Sequence, residues 1–482
     1  MNPFKQLAGQ TAIYGLGTIL PRMLNYLLVP LYTRVFVPEI YGQFTELYAY
    51  VALLLALLTY GMETTFFRHG KGNDFKKVYG NIMTGILSTT SAFLLGLVLL
   101  YPALSQAIGY GTKSVYVLFT GLVVAADAVS AVPFCVLRQQ NKAKRFSFIK
   151  MANVCTNIAL NLFFLVLVPE RSALWADSLF GTEAGMLTWV FVSNLVASLL
   201  NIVLLWPQVR QIRLQLDWSL MRQLLKYSIP IMLISLIGMV NEVADKIAVK
   251  YLTPAGEADA QLGIYGACYK LAVLMTIFVQ MFRYASEPFF FSRAEDRNSP
   301  SLFADVMKYF VIFCLVIFLM ITLYLDVFGL FIGTEFREGL GIVPIVLLAN
   351  LFMGVVFNLS IWYKLSDNTS SGTVITAVGA VVTLVCLFLL IPVIGYWGAA
   401  IAHLACYSIM MVISFLWGQK VYPIPYQVGR ILSYVIFALA LFALSRIFVP
   451  ENKVLMYVVN TAYLLLFCGV AFRLDLKNAL RN

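Results

Sequence analysis

The feature that most narrows what this chain can become is a recurrence. Apolar runs of about twenty residues or more follow one another from end to end, separated by short polar breaks. A helix of about 20 apolar residues crosses the roughly 30 Å hydrocarbon core of a bilayer. The runs lie at about 8–35, 43–67, 78–101, 115–137, 146–168, 186–206, 227–250, 262–291, 303–326, 340–362, 372–391, 396–417, 428–448 and 454–472. Composition agrees: 61% of residues are hydrophobic, 12% are charged and the mean hydropathy is +0.85. A soluble domain runs at about 45–50% apolar and about 25% charged, so cytosolic, secreted, disordered and collagen-like classes are excluded. The predicted fold is an all-α polytopic membrane protein of about 14 transmembrane helices.

The net charge of +11 is carried in short clusters between the apolar runs, which is the pattern of orientation signals and not of nucleic-acid binding. An even number of spans places both termini on one side, and Lys and Arg choose the side. With the N-terminus inside, 23 of the 34 basic residues fall on inner segments. Eight fall outside: Arg34, Lys113, Arg171, Lys246, Lys250, Arg337, Arg446 and Lys453. Both termini are therefore expected on the cytoplasmic side. No cleavable leader is expected, because the first run outlasts a signal-peptide core.

Between the sixth and seventh runs, Val209, Ile212, Leu216, Leu220 and Leu224 recur every three or four residues among Arg210, Arg213 and Arg222. This spacing predicts an amphipathic helix on the inner membrane surface. The expected organisation is a six-helix bundle at 1–206, a linker at 207–226, a second six-helix bundle at 227–417 and two additional helices at 418–482. The two bundles align as a repeat. An offset of 224 pairs Tyr41-Gly42 with Tyr265-Gly266, Tyr60 with Tyr284 and Glu63 with Glu287; an offset of 216 pairs Asn25 with Asn241, Arg34 with Lys250 and Pro38 with Pro254. Repeats of this kind are characteristic of transporters, which place substrate at the repeat interface.

Charges at bilayer depth are costly and mark cavities or partners. Three cations lie within spans: Arg22 after Pro21, and Lys270 and Arg283 on the eighth span. Each has a structural alternative. Arg22 could bond carbonyls freed at the proline, Lys270 could snorkel, and Arg283 could pair with Glu287 one turn on. Asp127, Glu63 and Glu287 are candidate ion-coupling residues, whereas Asp245, Lys246 and Lys250 read as structural groups near the outer interface. Asn153, Asn157 and Asn161 form a stripe on the fifth span that suits interhelical hydrogen bonds as well as substrate contact. His403 is read as a packing residue.

The first span holds a cation and no acid, so a cavity built on it suits an anion, and 26 tyrosines and seven tryptophans suit sugar rings. A lipid-linked sugar phosphate satisfies both. The candidate substrate-binding set is Arg22, Lys270, Arg283, Asn25, Asn241, Asn153 and Asn157, with Arg22 and Lys270 expected to hold the phosphates. The seven cysteines lie inside apolar runs without metal or redox spacing and read as buried small hydrophobes. No HExxH, P-loop or GxSxG motif is present, so no cofactor, metal or enzymatic chemistry is expected.

The stretch Pro30-Leu-Tyr-Thr-Arg-Val-Phe-Val-Pro-Glu-Ile-Tyr-Gly-Gln-Phe44 resembles the signature of polysaccharide-type (Wzx-like) flippases, a branch of the multidrug/oligosaccharidyl-lipid/polysaccharide exporter superfamily. Gly395-Tyr-Trp-Gly-Ala-Ala-Ile-Ala402 resembles the Gly-x-x-Gly-Ala-Ala-x-Ala pattern of that family. The resemblance implies a pair of bundles around a cationic lumen in the bacterial inner membrane. It also implies movement of an undecaprenyl-pyrophosphate-linked oligosaccharide from the cytoplasmic to the outer leaflet, with polysaccharide polymerase machinery as a further partner. Lipid II flippases of the superfamily carry arginines that match Arg22 and Arg34 here, but their Arg-Asp pair falls on Leu28-Val29 and their eighth-span arginine on Lys270. Those departures favour a different lipid-linked glycan, with lipid II as the near alternative and a drug or cation antiporter as the distant one.

Overall fold

The computed structural model describes residues 17, 19–70, 75–111, 114–168, 183–254, 256–292, 299–366 and 368–476. The start of the first expected span, Lys5, Lys71, Lys113, Arg171, Arg293, Arg297, Lys477 and Arg481 lie outside the described residues. Every regular element described is helical. The helices are α1 (Leu28–Val35), α2 (Pro38–Thr59), α3 (Met62–His69), α4 (Phe75–Ala107), α5 (Ser114–Gln139), α6 (Ala143–Leu162), α7 (Glu183–Leu204) and α8 (Trp218–Leu252). They continue as α9 (Ala258–Leu271), α10 (Val273–Ser292), α11 (Ser299–Leu323), α12 (Val343–Leu359), α13 (Thr369–Ile394), α14 (Tyr396–Val421), α15 (Val428–Ile447) and α16 (Lys453–Ala471).

Among the described residues twelve segments are long and apolar enough to span a bilayer, and α9 with α10 makes a thirteenth. These correspond to the second through fourteenth expected spans. Of the first, Ile19–Tyr26 and α1 are helical, separated by a turn at Leu27.

Several of the expected spans are interrupted, and two of the breaks have a legible local cause. Pro38 opens α2 at a position where its missing N–H costs nothing. That helix ends at Tyr60 (φ 30°) and Gly61 (φ 73°), both left-handed. At Gly61 a side chain would also run into the Ser228 carbonyl at 2.7 Å, so the position needs glycine. The restart as α3 places Glu63 in a new first turn. The second break separates α9 from α10 at Ala272, with a 49° bend. There Asn350 donates to the Ala272 carbonyl at 3.4 Å, a second bond beside the one that carbonyl accepts from the Met275 N–H at 3.1 Å. The third is the turn at Leu27.

The linker departs from its amphipathic pattern. A short helix covers Trp206–Val209, residues 212–217 are not helical, and α8 begins at Trp218 and runs unbroken through Pro230. Docking replaces helix formation. Tyr79 donates to the Gln208 carbonyl at 3.2 Å, Gln215 N–H donates to Thr84 at 3.2 Å, Asp217 N–H donates to Asn81 at 2.7 Å, and Lys77 pairs with the Asp217 carboxylate at 2.8 Å. The backbone groups that a helix would have used internally are taken up by α4.

By contacts the chain forms two compact units: Met1–Tyr251 with Ala255–Gly263, and Leu252–Pro254 with Ile264–Asn482. The helix after the linker, α8, falls in the first. Within the second, the Gly-x-x-Gly-Ala-Ala-x-Ala stretch is a packing device. Gly395 has φ 58° and turns the chain between α13 and α14, while any side chain at Gly398 would meet the backbone of Leu390 and Ile391. Ala399, Ala400 and Ala402 are fully buried. Of the cysteines, Cys135, Cys268, Cys314 and Cys406 are buried as expected, whereas Cys386 and Cys468 are half-buried and Cys155 is exposed. An apolar helix face can tolerate exposure where lipid is its solvent.

Candidate functional site

In the first unit, polar side chains collect in mid-span. Arg22 and Asn25 are exposed. Asn157 donates to the Asn25 side-chain oxygen at 3.3 Å, and Asn161 donates to Asn157 at 3.0 Å. The Tyr32 hydroxyl donates to Asn161 at 2.9 Å, and Asn153 donates to the Ala197 carbonyl on α7 at 2.7 Å. The asparagine stripe therefore stitches α6 to the first span and to α7.

About two turns from Asn157 along the same helix is Lys150, which lies inside the expected run 146–168 yet counts among the inner basic residues and not among the cations within spans. Lys150 lies on α6, its ammonium 4.0 Å from the centre of the Phe134 ring. Asp127 on α5 and Glu63 on α3 act on it as counter-charges, and Arg22 acts on it as a like charge. Asp127 also hydrogen-bonds with Ser198, and Glu63 accepts from the Cys135 thiol at 3.7 Å and feels Arg138. Arg22, Asp127 and Glu63 thus lie within electrostatic range of Lys150, a residue not singled out from the sequence. The available signal was that Lys150 lies inside the apolar run 146–168, and it sits about two turns inside α6.

A second polar cluster in this unit involves the end of α8. Glu46 on α2 is fully buried and accepts from Tyr50 at 2.9 Å and from Tyr110. Lys250 lies 3.8 Å from Glu46 and pairs with Asp259. Tyr251 completes the cluster with a 2.9 Å hydrogen bond to Tyr50. Asp245 is 2% exposed and pairs with Lys246 at 3.0 Å, while Asn241 is buried on α8. Lys250 and Asp245 are thus both engaged in ion pairs within this unit. The buried partner Glu46 was not legible, because nothing in the run 43–67 distinguishes a buried carboxylate from one at a span end.

In the second unit the predicted cations are more dispersed. Lys270 is exposed on the last turn of α9, immediately before the bend, where a cation complements the helix C-terminus. Beside it, Tyr269 shares a 3.3 Å hydrogen bond with His403, which is buried against Tyr407. Arg283 is exposed on α10 and lies 4.8 Å from the centre of the Phe357 ring. The expected Arg283–Glu287 pair does not form. Glu287 instead pairs with Lys364 from the short helix Ile361–Leu365. A tertiary neighbour displaces a sequence neighbour here because the α12 end is packed against α10.

The other prominent feature of this unit is apolar. A cavity of about 290 Å3 lies between α11, α12, α14 and α15, walled by Val311, Leu351, Phe352, Met411, Phe415, Ile431 and neighbouring apolar side chains. Among the described residues no group of His, Cys, Asp and Glu is arranged to hold a metal ion.

Solved structures share this fold across nearly the whole chain. A lipid II flippase, MurJ, in an inward closed conformation superposes with a TM-score of 0.72 at 13% identity, covering 96% of this chain and 99% of that one. An inward-facing multidrug resistance MATE family transporter of the MOP superfamily gives 0.64 at 14% identity, covering 85% and 97%. The MATE multidrug transporter DinF-BH gives 0.62 at 16%, covering 88% and 97%. At these identities the likeness concerns the fold. A search of curated proteins finds no match. The model of the family described as polysaccharide biosynthesis protein matches residues 7–294, more than half of the sequence, and the chain belongs to that family.

Proposed function

We propose that this protein is a flippase of the multidrug/oligosaccharidyl-lipid/polysaccharide exporter superfamily. It carries an undecaprenyl-pyrophosphate-linked oligosaccharide, a repeat unit of O-antigen or another surface polysaccharide, from the cytoplasmic to the outer leaflet of the bacterial inner membrane by alternating access. The observation that carries this reading is the apolar cavity beside α15. A transporter of a water-soluble headgroup or a compact drug has no use for a greasy slot against the thirteenth span, whereas a substrate with a long prenyl tail needs somewhere for the tail to follow the head.

The energetics assign the two ends of the substrate different needs. Lipid is as apolar as leucine, so a prenyl chain gains little free energy by moving from bilayer to groove. The groove guides the tail; it does not supply affinity. The pyrophosphate is the reverse case. An isolated ionised group moved into hydrocarbon costs tens of kcal/mol unless it is paired. Arg22 and Lys270 supply that pairing, with Arg283 and the side chains of Asn25, Asn241, Asn153 and Asn157 assigned to the site of the head, and with Asp127, Glu63 and Glu287 as coupling groups. Two six-helix repeats with both termini cytoplasmic, and a handover to polymerase machinery, complete the proposal. The protein is not an enzyme in this reading.

Membership of the polysaccharide biosynthesis family supports a surface glycan, and the fold likeness to a lipid II flippase keeps lipid II as the competing cargo. The test is a reconstituted flipping assay with three cargoes: an undecaprenyl-pyrophosphate oligosaccharide, lipid II and a cationic dye. Movement of the first alone is expected. Preference for lipid II, or transport of the dye alone, would replace the proposal with the corresponding alternative.

A further inference from the structure

The apolar cavity leaves α15 with a mechanical problem. Its first two turns, Val428 to Val435, face the cavity, and side-chain packing on α11 begins only further along, where Phe442 lies against Phe318 and Arg446 donates to the Thr322 carbonyl at 3.2 Å. The last helix, α16, adds no residue to the cavity wall, which comes from α11, α12, α14, α15 and Tyr426. Its contacts are those of a brace. At its middle Asn460 donates to the Leu323 carbonyl at 2.6 Å and Thr461 shares a 2.6 Å hydrogen bond with Tyr324, fixing it to the end of α11. In its later half the buried Phe467 packs on Tyr434 and Phe437 of α15.

At its far end Asp475, in the π turn that closes α16, gathers three partners. Lys308 on α11 pairs with it at 3.0 Å, Arg430 on α15 at 2.9 Å, and the Tyr434 hydroxyl donates to it at 2.6 Å. Lys308 also holds Asp305 at 3.0 Å and Gln427 at 3.3 Å. Lys308 and Asp475 are both 4% exposed. Lys308 adjoins Met307, and Gln427 lies between Tyr426 and Val428; all three neighbours belong to the cavity wall. The charge cluster therefore frames one mouth of the cavity. By the charge count this is the cytoplasmic mouth.

A buried ion pair is a poor source of net stability, since a well-packed apolar pair of similar volume often does as well. What it provides is a fixed spacing between the elements it joins. From this geometry we infer that Asp475 is a positioning residue. Through Lys308 and Arg430 it sets the distance of α15 from α11 and keeps the cavity mouth wide enough for a polyprenyl chain. The inference rests on the flippase reading and divides the labour of the two last helices: α15 lines the groove and α16 braces it.

The test uses the full chain in lipid nanodiscs and, as probe, geranylgeranyl pyrophosphate carrying a benzophenone at the end of its chain. After irradiation, labelled peptides from α12, α14 and α15 are expected in the wild type. Asp475→Asn, almost isosteric but uncharged, should lower that labelling about tenfold, and Asp475→Glu should restore most of it. A residue that merely packed would show no such charge dependence. Arg430→Gln, altering an exposed arginine, should give an intermediate loss and keeps the test open if Asp475→Asn does not fold. Wild-type labelling in Arg430→Gln and in whichever Asp475 variants fold overturns the positioning role and leaves the groove standing. No labelling of the wild type overturns both the role and the prenyl groove of the flippase reading.

Discussion

The two units distribute their polar groups differently. In the first, beyond the pairs at helix ends, charge also sits inside the spans: Arg22, Lys150 and Asp127 act on one another together with Glu63, and an asparagine ladder joins α6 to the first span. In the second, the ion pairs retreat to span ends, with Lys364 on Glu287 and Lys308 on Asp475, and the space between α11, α12, α14 and α15 is apolar. Mid-span charge is expensive in a membrane and needs a use. An apolar hollow is cheap, and needs only a brace at its ends. The contrast matches a cargo that is anionic at one end and hydrocarbon at the other.

The largest expected effects come from removing the cations assigned to the head. Arg22→Ala and Lys270→Ala should each cost about 2–5 kcal/mol of substrate binding, or roughly 30-fold to several-thousand-fold. Arg22→Lys should keep part of the activity, because charge survives while the planar fork is lost. The measurement is flipping at matched membrane levels. Wild-type rates for both alanine variants would erase the distinction between the units.

Next in size is the counter-ion at the centre of the first unit. Lys150→Met leaves Asp127 and Glu63 without their shared cation and should destabilise the protein by about 1–3 kcal/mol, reduced from the fully buried case because Glu63 is exposed. Adding Asp127→Asn should recover part of the loss, since one uncompensated charge disappears with it. Thermal unfolding of the single and double variants checks this. A double variant worse than either single would mean that the three groups are not coupled.

The break between α2 and α3 makes a comparable claim about backbone. Gly61→Ala should cost about 1–2 kcal/mol for the left-handed conformation alone, with the Ser228 carbonyl adding to it. Because Glu63 follows two residues later, the variant should also blunt any dependence of transport on Lys150. A variant as stable as wild type would show that the break is not enforced by this glycine.

Smaller effects are expected for the end pairs of the second unit. Lys364→Ala and Glu287→Ala should each cost about 0.5–1 kcal/mol and be non-additive when combined. Arg283→Ala, which loses the contact with the Phe357 ring, should fall in the same range but add to either. Additivity of the Lys364 and Glu287 changes would dissolve the pair.

The smallest effect concerns pH. The Lys77 ammonium, then Ser219 and the Leu220 N–H, hold the Asp217 carboxyl well below the usual carboxylate range. A depressed folded-state value means that the linker contact is fully present above the ordinary range near pH 4 and is lost as pH falls through the lowered one. Limited proteolysis within 210–216 should therefore be unchanged from pH 8 to 5 and rise only in strong acid. A rise between pH 7 and 5 would point to a different group.

The amino-acid sequence by itself determined the spans, because each reports its own solvent. A run of twenty apolar residues needs no neighbour to be recognised as a membrane helix, and thirteen of the fourteen runs reappear as spanning segments among the described residues. It also marked Arg22, Asp127, Glu63 and Lys270, since a charge inside an apolar run is visible without knowing what surrounds it. What only the tertiary structure decided is pairing. Glu287 takes Lys364, 77 residues away, over Arg283 one turn away, and Lys150 feels charges carried by α3, α5 and the first span. The amphipathic period of 209–224 promised a surface helix, yet α4 offered the linker better hydrogen bonds than its own backbone could. Local pattern fixes which groups enter the membrane; which charge neutralises which depends on the few ångströms between helices, and those distances are set by the packing of the whole unit.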